Sequence, residues 1–285
     1  MNIKIEDLQY FEELLTSISK ITGACKFSVD STGCEVKVKS ETEAVRAFFK
    51  SKALVSEEPI SFCLSDIKKL NRSIKIVADT RKSKMESYVN KKLKAYEKGD
   101  DKINKKELTI KFQHEFRKKE KPSILIYDHP YIRFSKDGVK FKFSTIKEDV
   151  IEYTKPTSLT RELTDDYGFT ISAKMVSRVA EISSITVLDK PKVYIYKEKH
   201  ESGEYIVAEV DDKTQKLSDS IGIPVTREFF GDWYGHICLI LDAFKLFNLI
   251  PSEEIKVAMT KEKAISVKSS NEFNSVHIIT QGLKK

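Results

Sequence analysis

The feature that most constrains this chain is a strand-then-helix unit that occurs twice, 177 residues apart. Ile60, Phe62, Leu64, Ile67, Lys68, Leu70 and Asn71 stand opposite Ile237, Leu239, Leu241, Phe244, Lys245, Phe247 and Asn248 at that constant offset. Apolar residues alternate through each strand and then switch to helical spacing, the pattern of a half-buried strand feeding an amphipathic helix. Asp66 against Ala243 breaks the match, and Ser65 and Asp242, in register with each other, are read as the helix caps. Chance supplies apolar matches readily, but a Lys and an Asn shared in the same register argue for two halves built alike.

Other elements recur in the same order. Asn2 to Ile5 reads as a short strand, and Asp7 to Ile21 places Leu8, Phe11, Leu15 and Ile18 on one helical face ended by Gly23. Phe169 to Ile171 is again strand-like, and Ser172 caps a helix with Val176, Val179 and Ile182 inward. Strands are expected at Lys26 to Asp30, Cys34 to Val38 and Ala44 to Phe49, then at Leu108 to Phe112, Ser123 to Tyr127, Tyr131 to Ser135 and Val139 to Ile146. In the second half strands are expected at Ile185 to Leu188, Val193 to Tyr196, Tyr205 to Val210, Ile223 to Thr226 and Ile237 to Leu241. A helix from Asp242 to Ile250 and three last strands, Ile255 to Met259, Ala264 to Val267 and Ser275 to Thr280, complete the chain. A length of 285 residues accords with two domains.

The chain carries 50 Lys and Arg against 43 Asp and Glu, a net +7. Residues 81–106, Lys-rich and poor in apolar side chains, hold ten basic and four acidic residues and so account for +6 of it. That stretch reads as an insertion, open as a contact for nucleic acid or a protein partner or as a solvated helical excursion, and the remaining body is close to neutral. Any case for a polyanionic partner therefore rests on which helix faces carry charge. Lys68, Arg72 and Lys75, spaced i, i+4, i+7, share the face opposite Ile67, Leu70 and Ile74, with Lys69 beside them. Lys174 and Arg178 lie one turn apart on the helix after Ser172, Lys245 holds that face in the last helix, and Lys20 ends the first. Glu6, Glu13, Gln9 and Thr16 make the outward face of the first helix less basic. Lys and Arg so placed would meet phosphates rather than base edges, giving sequence-independent attraction.

Other chemistries find little support. No phosphate-binding glycine loop, nucleophile elbow or paired metal-spaced histidines occur, and Cys25, Cys34, Cys63 and Cys238 are scattered without a C-x-x-C. No cofactor or metal is expected. The carboxylate pairs Asp100-Asp101, Asp165-Asp166 and Asp211-Asp212 lie in polar turn contexts; metal-assisted nucleic-acid processing by one of them is the alternative from a different class. Met1 to Glu13 lacks the basic start of a signal peptide, and no apolar run would cross a bilayer, so no membrane is expected.

In the strand-helix unit 60–70, the opening 169–176 of the second half and the closing pattern 237–246, 255–259, 264–267 and 276–280, the chain resembles DNA polymerase sliding clamps of the proliferating-cell nuclear antigen type. The trimeric clamps of T4-like bacteriophages are the nearest in pattern. The resemblance implies an α+β DNA-clamp fold of two similar domains, 1–153 and 169–285 joined by a connector 154–168, each with antiparallel sheets and two helices lining a ring. It implies a non-enzymatic processivity factor, a homotrimer encircling double-stranded DNA, with a DNA polymerase and an ATP-dependent clamp loader as partners. A clamp-like factor that grips DNA without closing a ring is the alternative within replication. Placement is expected inside the cell, in the cytoplasm of a bacterial host. Carried onto the lining are Lys68, Lys69, Arg72, Lys75, Lys174, Arg178, Lys245 and Lys20. Val139 to Ile146 and Tyr205 to Val210 become the edges that pair between subunits, and Leu159, Leu163, Tyr167 and the tail from Ile278 to Leu283 the candidates for docking partner peptides.

Overall fold

A computed structural model describes residues 1–283 apart from 41–43, 97–104, 120–122, 137, 152–164, 186–190, 212–219, 234 and 262. The first half runs β1 (Asn2–Ile5), α1 (Leu8–Ser19), β2 (Cys25–Val29), β3 (Cys34–Lys39), β4 (Val45–Ser51), β5 (Leu54–Val55) and β6 (Ile60–Leu64). It continues with α2 (Ile67–Tyr96), α3 (Lys105–Lys119), β7 (Ser123–Asp128), β8 (Tyr131–Lys136) and β9 (Val139–Ser144). The second half runs β10 (Tyr167–Ile171), α4 (Ala173–Ile185), β11 (Lys192–His200), β12 (Gly203–Asp211), β13 (Ile221–Thr226), β14 (Phe229–Gly231) and β15 (Ile237–Ile240). It ends with α5 (Leu241–Lys245), β16 (Ile255–Met259), β17 (Ala264–Ser270) and β18 (Asn274–Gln281).

Local chemistry places these elements. The Asp7 carboxylate accepts from the Gln9 and Tyr10 amides at 2.8 and 3.2 Å and opens α1. Asp66, one residue later than expected, caps α2 by accepting from the Lys69 amide at 2.8 Å. No side chain caps α5, which begins one residue before Asp242. Asp30 gathers the Thr32 and Gly33 amides in the β2–β3 turn, where Gly33 has φ of 149° and a Cβ would stand 2.5 Å from the Ser51 carbonyl oxygen.

Every strand pairing is antiparallel, and the two halves repeat one plan. The first half orders its strands β6-β2-β3-β4 and β5-β1-β7-β8-β9; the second orders them β15-β11-β12-β13 and β14-β10-β16-β17-β18. β4 pairs with β18 from Val45↔Thr280 to Ser51↔Asn274, which fuses one sheet of each half into a nine-stranded sheet. One core runs through both halves, with Phe11, Phe27, Phe49, Phe169, Phe244 and Phe247 fully buried. In the repeated unit, Ile60, Phe62, Leu64, Ile67 and Leu70 are buried like their partners Ile237, Leu239, Leu241, Phe244 and Phe247.

Five expectations are corrected. The offset between halves is 177 at β6 and β15 but 132 at β7 and β16, so 45 extra residues stand in the first half, more than the insertion read from composition. Those of them that are described form the distal part of α2 and all of α3. Leu108 to Phe112 is consequently helix, because Leu108, Phe112 and Phe116 recur every four residues and turn one face to α2. Tyr205 to Val210 is interior, since β12 lies between β11 and β13, and the free edge is β13. Ile185 ends α4, and the rest of the strand expected from it, 186–188, lies outside the described residues; α5 passes into a 3-10 turn at Leu246–Asn248 instead of running on to Ile250.

Candidate nucleic-acid interface

The helices form one row across both halves. Asn71 of α2 donates to the Thr16 hydroxyl of α1 at 3.0 Å. The Ser17 hydroxyl of α1 donates to the Leu249 carbonyl of the second half at 2.6 Å. Asn248, beside it in the 3-10 turn, donates to Ser177 of α4 at 3.3 Å. The Asn shared by the two sequence units thus joins neighbouring helices in each half. Each is a side-chain amide spanning a gap that an aliphatic residue would leave with unpaired polar groups.

The buried faces of the row rest on the sheets, so its exposed residues point away from them. Lys68, Arg72 and Lys75 are exposed on α2, Lys174 and Arg178 on α4, and Lys20 at the end of α1. None of these six forms an ion pair with another described residue. Lys245 is exposed and shares its charge with Asp242 at 3.3 Å, a surface pair of small net energy. Lys69 leans to the flank of the row, its ammonium 5.8 Å from the centre of the Phe143 ring on β9. The acidic face expected on α1 is not open to the row's exterior. Glu13 accepts from Asn271 and Asn274 at 2.7 and 2.9 Å, and Glu6 pairs with Lys4 at 2.7 Å. The row therefore presents cations on α2, on α4 and at the end of α1 that form no ion pair with another described residue, alongside the exposed carboxylates Asp79 and Glu181, a surface suited to polyanions.

Tyr167 and Ile278 are core residues, 2% and 1% exposed, packed against Trp233 and across the β4–β18 seam respectively; neither side chain is presented for docking. In the tail, Leu283 is the exposed apolar side chain. Leu159 and Leu163 lie outside the described residues, as do Asp100, Asp101 and Asp212. Asp166 accepts from the Lys261 amide at 2.8 Å, and Asp211 is buried. Among the described residues no three His, Cys, Asp or Glu side chains converge. Burial pushes the Cys25, Cys34 and Cys63 thiols up, the reverse of an activated nucleophile. No described helix is long and apolar enough to cross a membrane.

Sequence reasoning missed the basic residues of α3 and the β13 edge. The four-residue spacing of Leu108, Phe112 and Phe116 carried the first. Pro224, which has no amide hydrogen to give a neighbouring strand, carried the second.

Neither a family model nor a curated protein sequence matches the chain. Solved structures match it along its whole length. Proliferating cellular nuclear antigen from Entamoeba histolytica superposes with a TM-score of 0.66 at 10% identity, over 99% of this chain and 98% of that one. The A. fulgidus antigen bound to the C-terminal region of FEN-1 gives 0.63 at 11% identity, over 100% and 99%. A PCNA2–PCNA3 complex from Sulfolobus tokodaii gives 0.62 at 11% identity, over 99% of each chain. The chain has the α+β fold of these antigen structures.

Proposed function

We propose that the protein is a DNA polymerase processivity factor, a sliding clamp of two domains whose copies close head to tail into a homotrimeric ring around duplex DNA. The observation that carries this is the pair of free edges. Within the chain, β4 of one half pairs with β18 of the other, and the counterparts of those two strands in the repeated plan are β13 and β9. Both are sheet edges. Pairing β9 of one copy with β13 of the next would repeat the internal seam, a heterologous contact whose rotation closes. Val139 and Phe141 on β9 and Ile221 and Ile223 on β13 are half-buried apolar side chains that such pairing would cover. Association between two such chains has precedent in the neighbours, one of which is a complex of two such antigens.

In this reading the helical row lines the hole, and Lys68, Arg72, Lys75, Lys174, Arg178, Lys245 and Lys20 attract phosphates weakly enough to allow sliding, with Lys69 at the margin. The ring holds a polymerase near its template by effective concentration and consumes nothing itself. Opening it falls to an ATP-dependent loader.

Threading onto linear duplex tests this. The protein should elute as a trimer and resist a salt wash on a duplex whose two ends are blocked after binding, while leaving one with open ends. Ile223→Asp, which puts a carboxylate into the proposed seam, should give monomers that wash off both. A monomer at micromolar concentration, or retention indifferent to the ends, would refute ring closure and favour an open grip.

A further inference from the structure

The 45 extra residues build a helical arm. α2 packs on the body through Ile67, Leu70, Ile74 and Val77 and then continues to Tyr96, about 28 Å further at 1.5 Å per residue. α3 folds back along it around a small separate core. Val89 and Phe112 are buried there, outside the main cluster. The Tyr88 hydroxyl donates to Glu115 at 3.3 Å, Lys92 lies 5.8 Å from the centres of the Tyr88 and Phe112 rings, and Lys119 lies 5.7 Å from that of Tyr88. These contacts hold the two helices together and engage Lys92 and Lys119.

Other lysines have no such task. Lys82, Lys91 and Lys94 on α2 and Lys111 and Lys118 on α3 are exposed and make no ion pair with another described residue. Lys111, His114 and Lys118 follow i, i+3, i+7 spacing along one face of α3. Residues 81–119 hold 14 basic and 6 acidic side chains, net +8, leaving the rest of the chain at −1. The molecule's positive excess is thus wholly on this arm, whose base is the same helix that carries Lys68, Arg72 and Lys75.

We propose that the α2–α3 arm is a second duplex-binding element, gripping phosphates beyond the helical row. A reach of about 28 Å covers roughly eight base-pair steps at 3.4 Å each, enough backbone to meet five ammonium groups. Docking surfaces for proteins are depleted in Lys and centred on apolar anchors, whereas the described arm exposes one large apolar side chain beyond its base, Ile110. The clamp reading is used only to say where the duplex runs.

The test compares three full-length variants, of which the two Lys→Glu sets have equal charge change. One carries Lys82, Lys91, Lys94, Lys111 and Lys118→Glu, and a second arm set carries the milder Lys→Gln at the same sites. The control carries Lys37, Lys52, Lys199, Lys256 and Lys268→Glu, all exposed away from the arm. Fluorescence anisotropy on a 40-base-pair duplex, from 50 to 200 mM salt, reads the dependence of affinity on salt. Three phosphate contacts among the five lysines, the least that would count as a grip, lower the slope by about 2.7 when lost, so the parent's affinity should fall by about 40-fold more than that of the arm variants across this range. The control should keep the parent slope. Equal losses in arm and control variants, or an unchanged slope in both arm sets, would overturn the proposal. Oligomeric state of the unaltered protein, measured separately, decides the ring, so the two readings fail independently.

Discussion

Asn274→Ala should loosen the joint that ties α1 to the C-terminal sheet. Asn274 is 1% exposed at the start of β18, and its side-chain amide donates to the Tyr10 carbonyl and to Glu13 Oε1, both at 2.9 Å. A bond to a charged carboxylate is worth about 1.5–3 kcal/mol and one to a neutral carbonyl about 0.5–1.5. The Asn274 Oδ1 is buried without a partner among the described residues, so its removal returns about 1 kcal/mol. The expected net loss is about 2 kcal/mol. In a chain of this size each kcal/mol shifts Tm by about 2–4 °C, so the midpoint should fall by about 4–8 °C at fixed protein concentration. A double-mutant cycle with Glu13→Ala isolates the shared bond. A coupling above about 1 kcal/mol is expected, and additivity within about 0.5 kcal/mol would refute the assignment, since independent sites add to that precision. The Asn271 amide also holds Glu13, at 2.7 Å, so Glu13→Ala alone should cost more than Asn274→Ala.

Two further perturbations probe the arm and the outer sheet. Phe112→Ala removes a side chain 2% exposed from the arm's small core, a change that costs about 3–5 kcal/mol in packed sites, while a 15-residue helix has little stability alone. Hydrogen exchange should show α3 protection falling by at least about 100-fold with the β4–β18 amides unmoved; a loss shared by those amides would mean the arm is not a separate folding unit. His277, bonded to Ser266 at 2.9 Å, has its pKa lowered by burial and by Lys268, with Asp165 opposing. The folded state therefore protonates it less readily than the unfolded chain, and its contribution to stability is lost as pH falls below the ordinary value of 6.5, by at most about 1.4 kcal/mol per pH unit. His277→Gln should flatten urea-unfolding stability between pH 7.5 and 5.5, and parallel profiles would exclude the effect.

Much of this molecule is legible from spacing. The alternation through Ile60, Phe62 and Leu64 and the helical recurrence of Ile67, Leu70 and Ile74 name the buried faces, and the exposed stripe of Lys68, Arg72 and Lys75 follows by elimination. The same reasoning failed at Leu108 to Phe112, where five residues suit either period and the deciding Phe116 lies just beyond. Composition marked the Lys-rich segment but not its extent, because the apolar residues that anchor α3 dilute the charge that drew attention.

The sequence by itself determined the local periods, the turns and the fact of two similar halves, since each depends on side chains within a few residues of one another. Tertiary structure decided which strands pair, and with it which are edges, a choice that only Pro224 of β13 hints at in the sequence. Hydrogen-bond partners of β12 and β13, or of β4 and β18, are chosen by contacts between residues far apart in the chain, and no spacing within a strand records its neighbours. The same holds for Glu13, an outward carboxylate by helical position, which the turn before β18 draws inward from 258 residues away. Charge was written in the sequence as a sum. Folding set it out on an arm and along a helical row, because one uninterrupted helix, α2, belongs to both.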